Sequence, residues 1–111
     1  MDLPFIQNLR VDEAKLVDYL LSHANGRGKA TFFLGFGFQP EAWPELAAAI
    51  KRQATSNPVA SAVDSPYGTR YSVDGELQTP GGRRPIIRSV WILEVDSETP
   101  RLITAHPIKE A

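Results

Sequence analysis

Apolar residues fall at helical spacing in the first half of the chain and alternate with polar ones in the second. Leu16, Val17, Leu20 and Leu21 form one stripe at i, i+4 spacing, and Asp12 is placed to cap it, which predicts a helix from Asp12 to about Ser22. Asn25-Gly26-Arg27-Gly28 interrupts that pattern. The run Phe32-Phe33-Leu34 is too short for periodicity to separate a strand from a helix. Lys29-Ala30 as an opening and Gly35 or Gly37 as a stop favour a helix. Gln39-Pro40-Glu41 starts the next one, with Pro40 and Pro44 in its first turns and acidic Glu41 and Glu45 near its positive end. Trp43, Leu46, Ala47 and Ile50 make its apolar face, Lys51 and Arg52 lie towards its C-terminal end, and Asn57-Pro58 terminates it.

From Val59 onward the period becomes two. Strands are expected over residues 59–64, 69–77 (bent at Asp74-Gly75), 86–95 and 101–108, separated by Pro66-Tyr67-Gly68, Pro80-Gly81-Gly82 and the segment Asp96 to Pro100. Turns this short exclude parallel crossovers. The expectation is an α+β fold in which two to three N-terminal helices precede a four-stranded antiparallel β-meander. The 111 residues make a single domain, 1–111.

Composition narrows the chemistry. There is no cysteine, so disulfides and thiolate metal sites are excluded, which fits a reducing compartment. The opening Met1-Asp2-Leu3-Pro4-Phe5 lacks the basic start and apolar run of a signal peptide. No apolar stretch approaches the roughly 18 residues of a membrane span. A cytoplasmic protein without membrane contact is expected. The net charge of −1 requires any nucleic-acid-binding patch to be local.

Candidate chemistry gathers in the second half. Arg70, Arg83, Arg84 and Arg88 surround the central hairpin, Arg101 lies near them across the last turn, and Asp74 and Glu76 oppose them. Arginine forks match phosphate oxygens. Tyr67, Tyr71 and Trp91 are interleaved with them, and aromatic rings stack on unpaired bases. The simpler reading is a solvated charge pattern that guards the sheet edges, over an aromatic core. His23 and His106 are the two groups suited to proton transfer near neutral pH. His23 also reads as a cation at the end of the first helix, and His106 as a strand histidine bonded to a neighbour. Arg27-Gly28-Lys29 precedes a helix start, where backbone N–H groups attract anions. Gly35-Phe36-Gly37-Phe38 lacks the third glycine of a dinucleotide loop. Glu94, Asp96 and Glu98 alternate, but both histidines are remote in sequence, so no metal site and no cofactor is expected.

The segments Leu16–Leu21, Gly28-Lys29-Ala30-Thr31-Phe32-Phe33, Ser65-Pro66-Tyr67-Gly68-Thr69-Arg70-Tyr71, Val73-Asp74-Gly75-Glu76-Leu77 and Pro100-Arg101-Leu102-Ile103-Thr104-Ala105-His106-Pro107 resemble a family of small bacterial domains of unknown function. The order of helices and meander is also similar to the barnase-like, EndoU-like and RelE-like toxin ribonucleases. Those enzymes resemble one another in placing Lys, Arg, His, Tyr and Thr on the sheet and the preceding helix, and often end in Thr-Ala-Tyr-Pro. Here His106 stands where that pattern has tyrosine.

The resemblance implies a metal-independent endoribonuclease toxin, with His106, Lys29, Arg88, Arg70 and Thr104 as catalytic candidates. Tyr71, Tyr67, Arg84, Arg27 and His23 are the candidates for substrate contact. RNA and a small cognate antitoxin are the expected partners, and a homo-oligomer through a sheet edge is compatible with a meander. The alternative is a non-catalytic protein-binding module of the antitoxin, immunity or phage-accessory kind, which neutral charge and scarce histidine favour.

Overall fold

The alternating second half forms a continuous sheet in the computed structural model, which describes residues 1–26 and 28–108. The strands are β1 (Val59–Ser65), β2 (Gly68–Glu76), β3 (Ile86–Glu94) and β4 (Arg101–Pro107), antiparallel in the order β1-β2-β3-β4. This is the expected α+β meander. β2 pairs with β3 without a break from Gly68 to Glu76, so the expected bend at Asp74-Gly75 does not occur. The irregularities fall on the edge strands, between Val59 and Ser61 on β1 and between Leu102 and Thr104 on β4.

Gly68 makes the β1–β2 turn tight. Its φ of 148° is disfavoured for side-chain-bearing residues, and a Cβ there would overlap the carbonyl oxygen of Leu93. Gly68→Ala is expected to cost about 1–3 kcal/mol in urea unfolding, whereas Gly81→Ala, in an open turn, should stay within about 0.5 kcal/mol.

The first half forms helices that cover one sheet face. These are a 3-10 turn (Ile6–Asn8), α1 (Glu13–Lys15) running into a π-helical turn (Leu16–Leu20), α2 (His23–Gly26), α3 (Gly28–Gly35), a second 3-10 turn (Pro40–Ala42) and α4 (Trp43–Ser56). None is long and apolar enough to cross a membrane. The regular helix expected over 12–22 is replaced by the widened turn. The Leu21 amide bonds the Leu16 carbonyl five residues back at 2.7 Å, so Leu16, Leu20 and Leu21 are all buried. Asp12 caps nothing. Its carboxylate instead meets Arg10 Nε at 2.7 Å.

Alternation decides which side chains enter the core. Tyr71 and Val73 of β2, Ile87, Ser89 and Trp91 of β3, and Leu102 and Ala105 of β4 face the helices and are buried. Phe33, Phe38, Leu46 and Ile50 meet them from the helical layer. The helix α4 is pinned by a buried amide: Gln53 Nε2 donates to the carbonyls of Val73 at 2.8 Å and Ile87 at 3.2 Å. Its Oε1 accepts from Ser89 Oγ at 2.7 Å, and Ser89 Oγ in turn accepts from Trp91 Nε1 at 2.9 Å.

Candidate functional site on the open sheet face

The opposite face carries the other residues of each strand, most of them half-buried or exposed, although Val90 is 8% exposed and the Thr104 hydroxyl is buried beside Tyr19. Register brings them into cross-strand rows: Asp74, Arg88 and His106 in one, Ser72, Val90 and Thr104 in the next, and Arg70 and Ile92 beside Arg101 in a third. The bulge at Ile103 allows Leu102 to turn inward while Thr104 and His106 face outward. Strict alternation would have put Leu102 on the same face as those two.

Arg88 lies at the centre of the first row. Its Nε and Nη2 grip Asp74 Oδ1 and Oδ2 at 2.7 and 2.9 Å, a two-pronged ion pair. The guanidinium beside it, with a smaller field from His106, holds the Asp74 carboxyl below its ordinary range, and the same bond raises Arg88. A carboxylate depressed in the folded chain adds stability above its unfolded pKa and loses it as pH falls through the folded value. Wild type should therefore exceed Asp74→Asn by about 0.5–1 kcal/mol near neutral pH, a modest figure because both partners are about a third exposed. Urea unfolding should show that margin shrinking as the pH drops below the carboxylate range.

His106 is half-buried beside Arg88, and its Nδ1 lies 3.2 Å from the Pro107 carbonyl oxygen. In the Nδ1–H tautomer that contact leaves Nε2 as a free base. Thr104, two residues earlier on the same face, has a buried Oγ1 that makes no hydrogen bond of ordinary geometry. It lies close to Tyr19 all the same. Lys29 Nζ donates to the Tyr19 hydroxyl at 2.6 Å, and the ammonium groups of Lys15 and Lys29 sit 5.1 and 5.0 Å from the ring centroid. The Lys29 bond outweighs partial burial and, with help from Thr104 and Lys15, lowers the Tyr19 hydroxyl below the ordinary tyrosine range. A polar track thus runs from Asp74 through Arg88, His106 and Thr104 to Tyr19 and Lys29.

The remaining sequence candidates are spread more widely. Arg70 shares the open face and is exposed, whereas Tyr71 points the other way and is 8% exposed in the core. Tyr67 projects from the β1–β2 turn, 82% exposed. Arg84 lies in the loop before β3. His23 lies three residues beyond the end of the widened turn and opens α2. Arg27 is outside the described residues. Two members of the track were not singled out from sequence. Asp74 had a signal, since the meander register places it opposite Arg88. Tyr19 had none, because its link to Lys29 crosses two helices.

These features define a class: a small α+β domain with one sheet face packed under helices and the other open, crossed by a charged polar track. The chain belongs to the family described as a domain of unknown function, DUF6883, which matches residues 2–109. Among solved structures it is similar to a chain of a contact-dependent growth inhibition toxin–immunity protein complex from Klebsiella pneumoniae 342. The TM-score is 0.74 at 21% identity, over 96% of this chain and 98% of that one. At that identity the likeness is one of fold. Comparison with curated protein sequences gives no match.

Proposed function

We propose that this domain is a toxin-type endoribonuclease that cleaves RNA without a metal ion, on the open face of its sheet. The observation that carries the reading is the polar track from Asp74 to Lys29, which lines up two proton-handling groups, His106 and Tyr19, with two cations, Arg88 and Lys29.

RNA cleavage through the 2′-oxygen needs a base for the 2′-OH proton, an acid for the departing 5′-oxygen, and positive charge for the pentavalent phosphate. In this reading His106 Nε2 is one proton-transfer group. The Tyr19 hydroxyl, bonded by Lys29, is the other. The 2′-oxygen attacks phosphorus, the bond to the 5′-oxygen breaks, and that oxygen takes a proton, leaving a cyclic phosphate and a 5′-hydroxyl. Arg88 and Arg70 bind the phosphate oxygens. Asp74 fixes the Arg88 fork, a positioning role, and Thr104, whose buried hydroxyl lies beside Tyr19, helps to position that phenol. The target would be RNA in the cytoplasm of a susceptible cell, and the natural partner a small immunity protein that covers this face.

The fold neighbour comes from a toxin–immunity complex, and a protein of either kind would fit that context. One observation favours a pure binding module instead: Val63, Tyr67 and Val95 are exposed together at one end of the β1–β2 hairpin, where the Val95 amide bonds the Tyr67 carbonyl. Induced expression in a bacterial host separates the two. The ribonuclease reading expects growth arrest by wild type and its relief in the Arg88→Ala, His106→Ala double variant. Full toxicity of the double variant, or none from wild type, would contradict it.

A further inference from the structure

A cleft of about 220 Å³ opens beyond the end of the catalytic row, between α4 and the loop that joins β2 to β3. Arg52, Ser56 and Asn57 line it from the helical side, and Glu76, Gln78 and Arg84 from the sheet side. The ion pairs among the described residues are Arg10–Asp12, Arg88–Asp74 and Arg101–Glu94, so neither Arg52 nor Arg84 is held in one. Arg52 Nη1 is held towards the cleft by Gln78 Oε1 at 2.6 Å.

The loop carrying Arg84 is fixed by its own bonds. The Leu77 amide donates to the Pro85 carbonyl at 2.9 Å, the Gly82 amide to Thr79 O at 3.1 Å, and Thr79 Oγ1 to Arg83 O at 2.6 Å. Gly82 permits the turn with a φ of 86°. Two arginines on separate elements therefore line one concavity, Arg52 held by its bond to Gln78 and Arg84 carried on a braced loop. Glu76 is common to cleft and open face: it follows Asp74 by two residues on β2, about 7 Å along the strand.

We propose that this cleft is a phosphate-binding subsite, in which Arg52 and Arg84 clamp a backbone phosphate of the RNA strand next to the scissile one. The inference rests on the ribonuclease reading, but it concerns binding and not bond cleavage. Guanidinium forks suit phosphate oxygens, and Gln78, Ser56 and Asn57 supply neutral polar groups around them. Glu76, the one carboxylate at the cleft, would weaken the grip by repulsion.

The test is the affinity of a fluorescent single-stranded 2′-O-methyl oligoribonucleotide, which cannot be cut through its 2′-oxygen, measured by anisotropy over a range of salt. The Arg52→Ala, Arg84→Ala double variant is expected to bind about tenfold more weakly, with a salt slope shallower by about 0.7 for the lost phosphate. Arg84→Glu, an exposed loop change that spares the Arg52–Gln78 bond, should weaken binding in the same direction. Glu76→Gln should tighten it about two- to fivefold, an effect that damage to the fold would not produce. Affinity and slope equal to wild type in both arginine variants would overturn the subsite. If wild type then still cleaves RNA, the subsite falls alone. If wild type neither binds nor cleaves, both readings fall.

Discussion

His106→Ala is expected to lower the rate of RNA cleavage by about 10²–10⁴, the usual worth of a positioned acid–base group. The side chain is half-buried on an edge strand, so its loss leaves the core of Trp91, Leu102 and Ala105 intact. Substrate affinity should change little, because Arg70 and Arg88 keep the phosphate contacts. The loss should therefore fall on kcat, with KM nearly unchanged. His106→Tyr separates proton transfer from mere presence of a ring. The rate that remains should rise towards alkaline pH, as a phenol with an ordinary pKa near 10 takes over the proton transfer. Single-turnover cleavage across pH measures both effects. A His106→Ala rate within a few fold of wild type would assign proton transfer elsewhere.

Gln53→Leu should be the most damaging single change to stability that keeps side-chain volume. Gln53 is 2% exposed, and its amide joins α4 to β2, to β3 and to the Ser89–Trp91 pair. A leucine would leave the Ser89 hydroxyl without its acceptor and the Val73 and Ile87 carbonyls without their donor. Each buried group deprived of a partner costs about 1–3 kcal/mol, and some relaxation makes a total of about 2–4 kcal/mol reasonable. Small domains hold only about 5–15 kcal/mol in all, so urea unfolding should show a large drop in midpoint. Lys51→Ala, exposed on the same helix, should move it by less than about 0.5 kcal/mol. The positions matter for the site. Val73 and Ile87 precede Asp74 and Arg88, so the amide that pins α4 also steadies the strands presenting that ion pair.

The sheet was legible because its information is local. Two-residue alternation and proline–glycine turns located all four strands to within about one residue. The first helix was not, because its form depends on packing. Gly26 approaches the Tyr19 carbonyl so closely that a Cβ would overlap it, and the π-helical turn accommodates that contact. A regular 3.6-residue pattern has no mark of it.

Legibility of the site divides along the same line. Arg70, Arg88, His106 and Thr104 stand on the meander, and counting register brings them to one face. Tyr71 was grouped with Arg70 by adjacency, although neighbours on a strand point to opposite faces. Asp74 stood out in sequence only as an opposing charge; its two-pronged bond to Arg88 depends on exact pairing across a nine-residue hairpin loop. Tyr19–Lys29 and Arg52–Gln78 join segments that only tertiary packing brings together, so no spacing rule could have found them.

The most direct test of the central claim is incubation of purified protein with single-stranded RNA in excess chelator, followed by analysis of the fragment ends. The account predicts cleavage by wild type, with 2′,3′-cyclic phosphate and 5′-hydroxyl ends and no loss of rate as chelator is added. It also predicts none of these ends from the Arg88→Ala, His106→Ala double variant. Intact RNA with wild type, or cleavage abolished by the chelator, would contradict it.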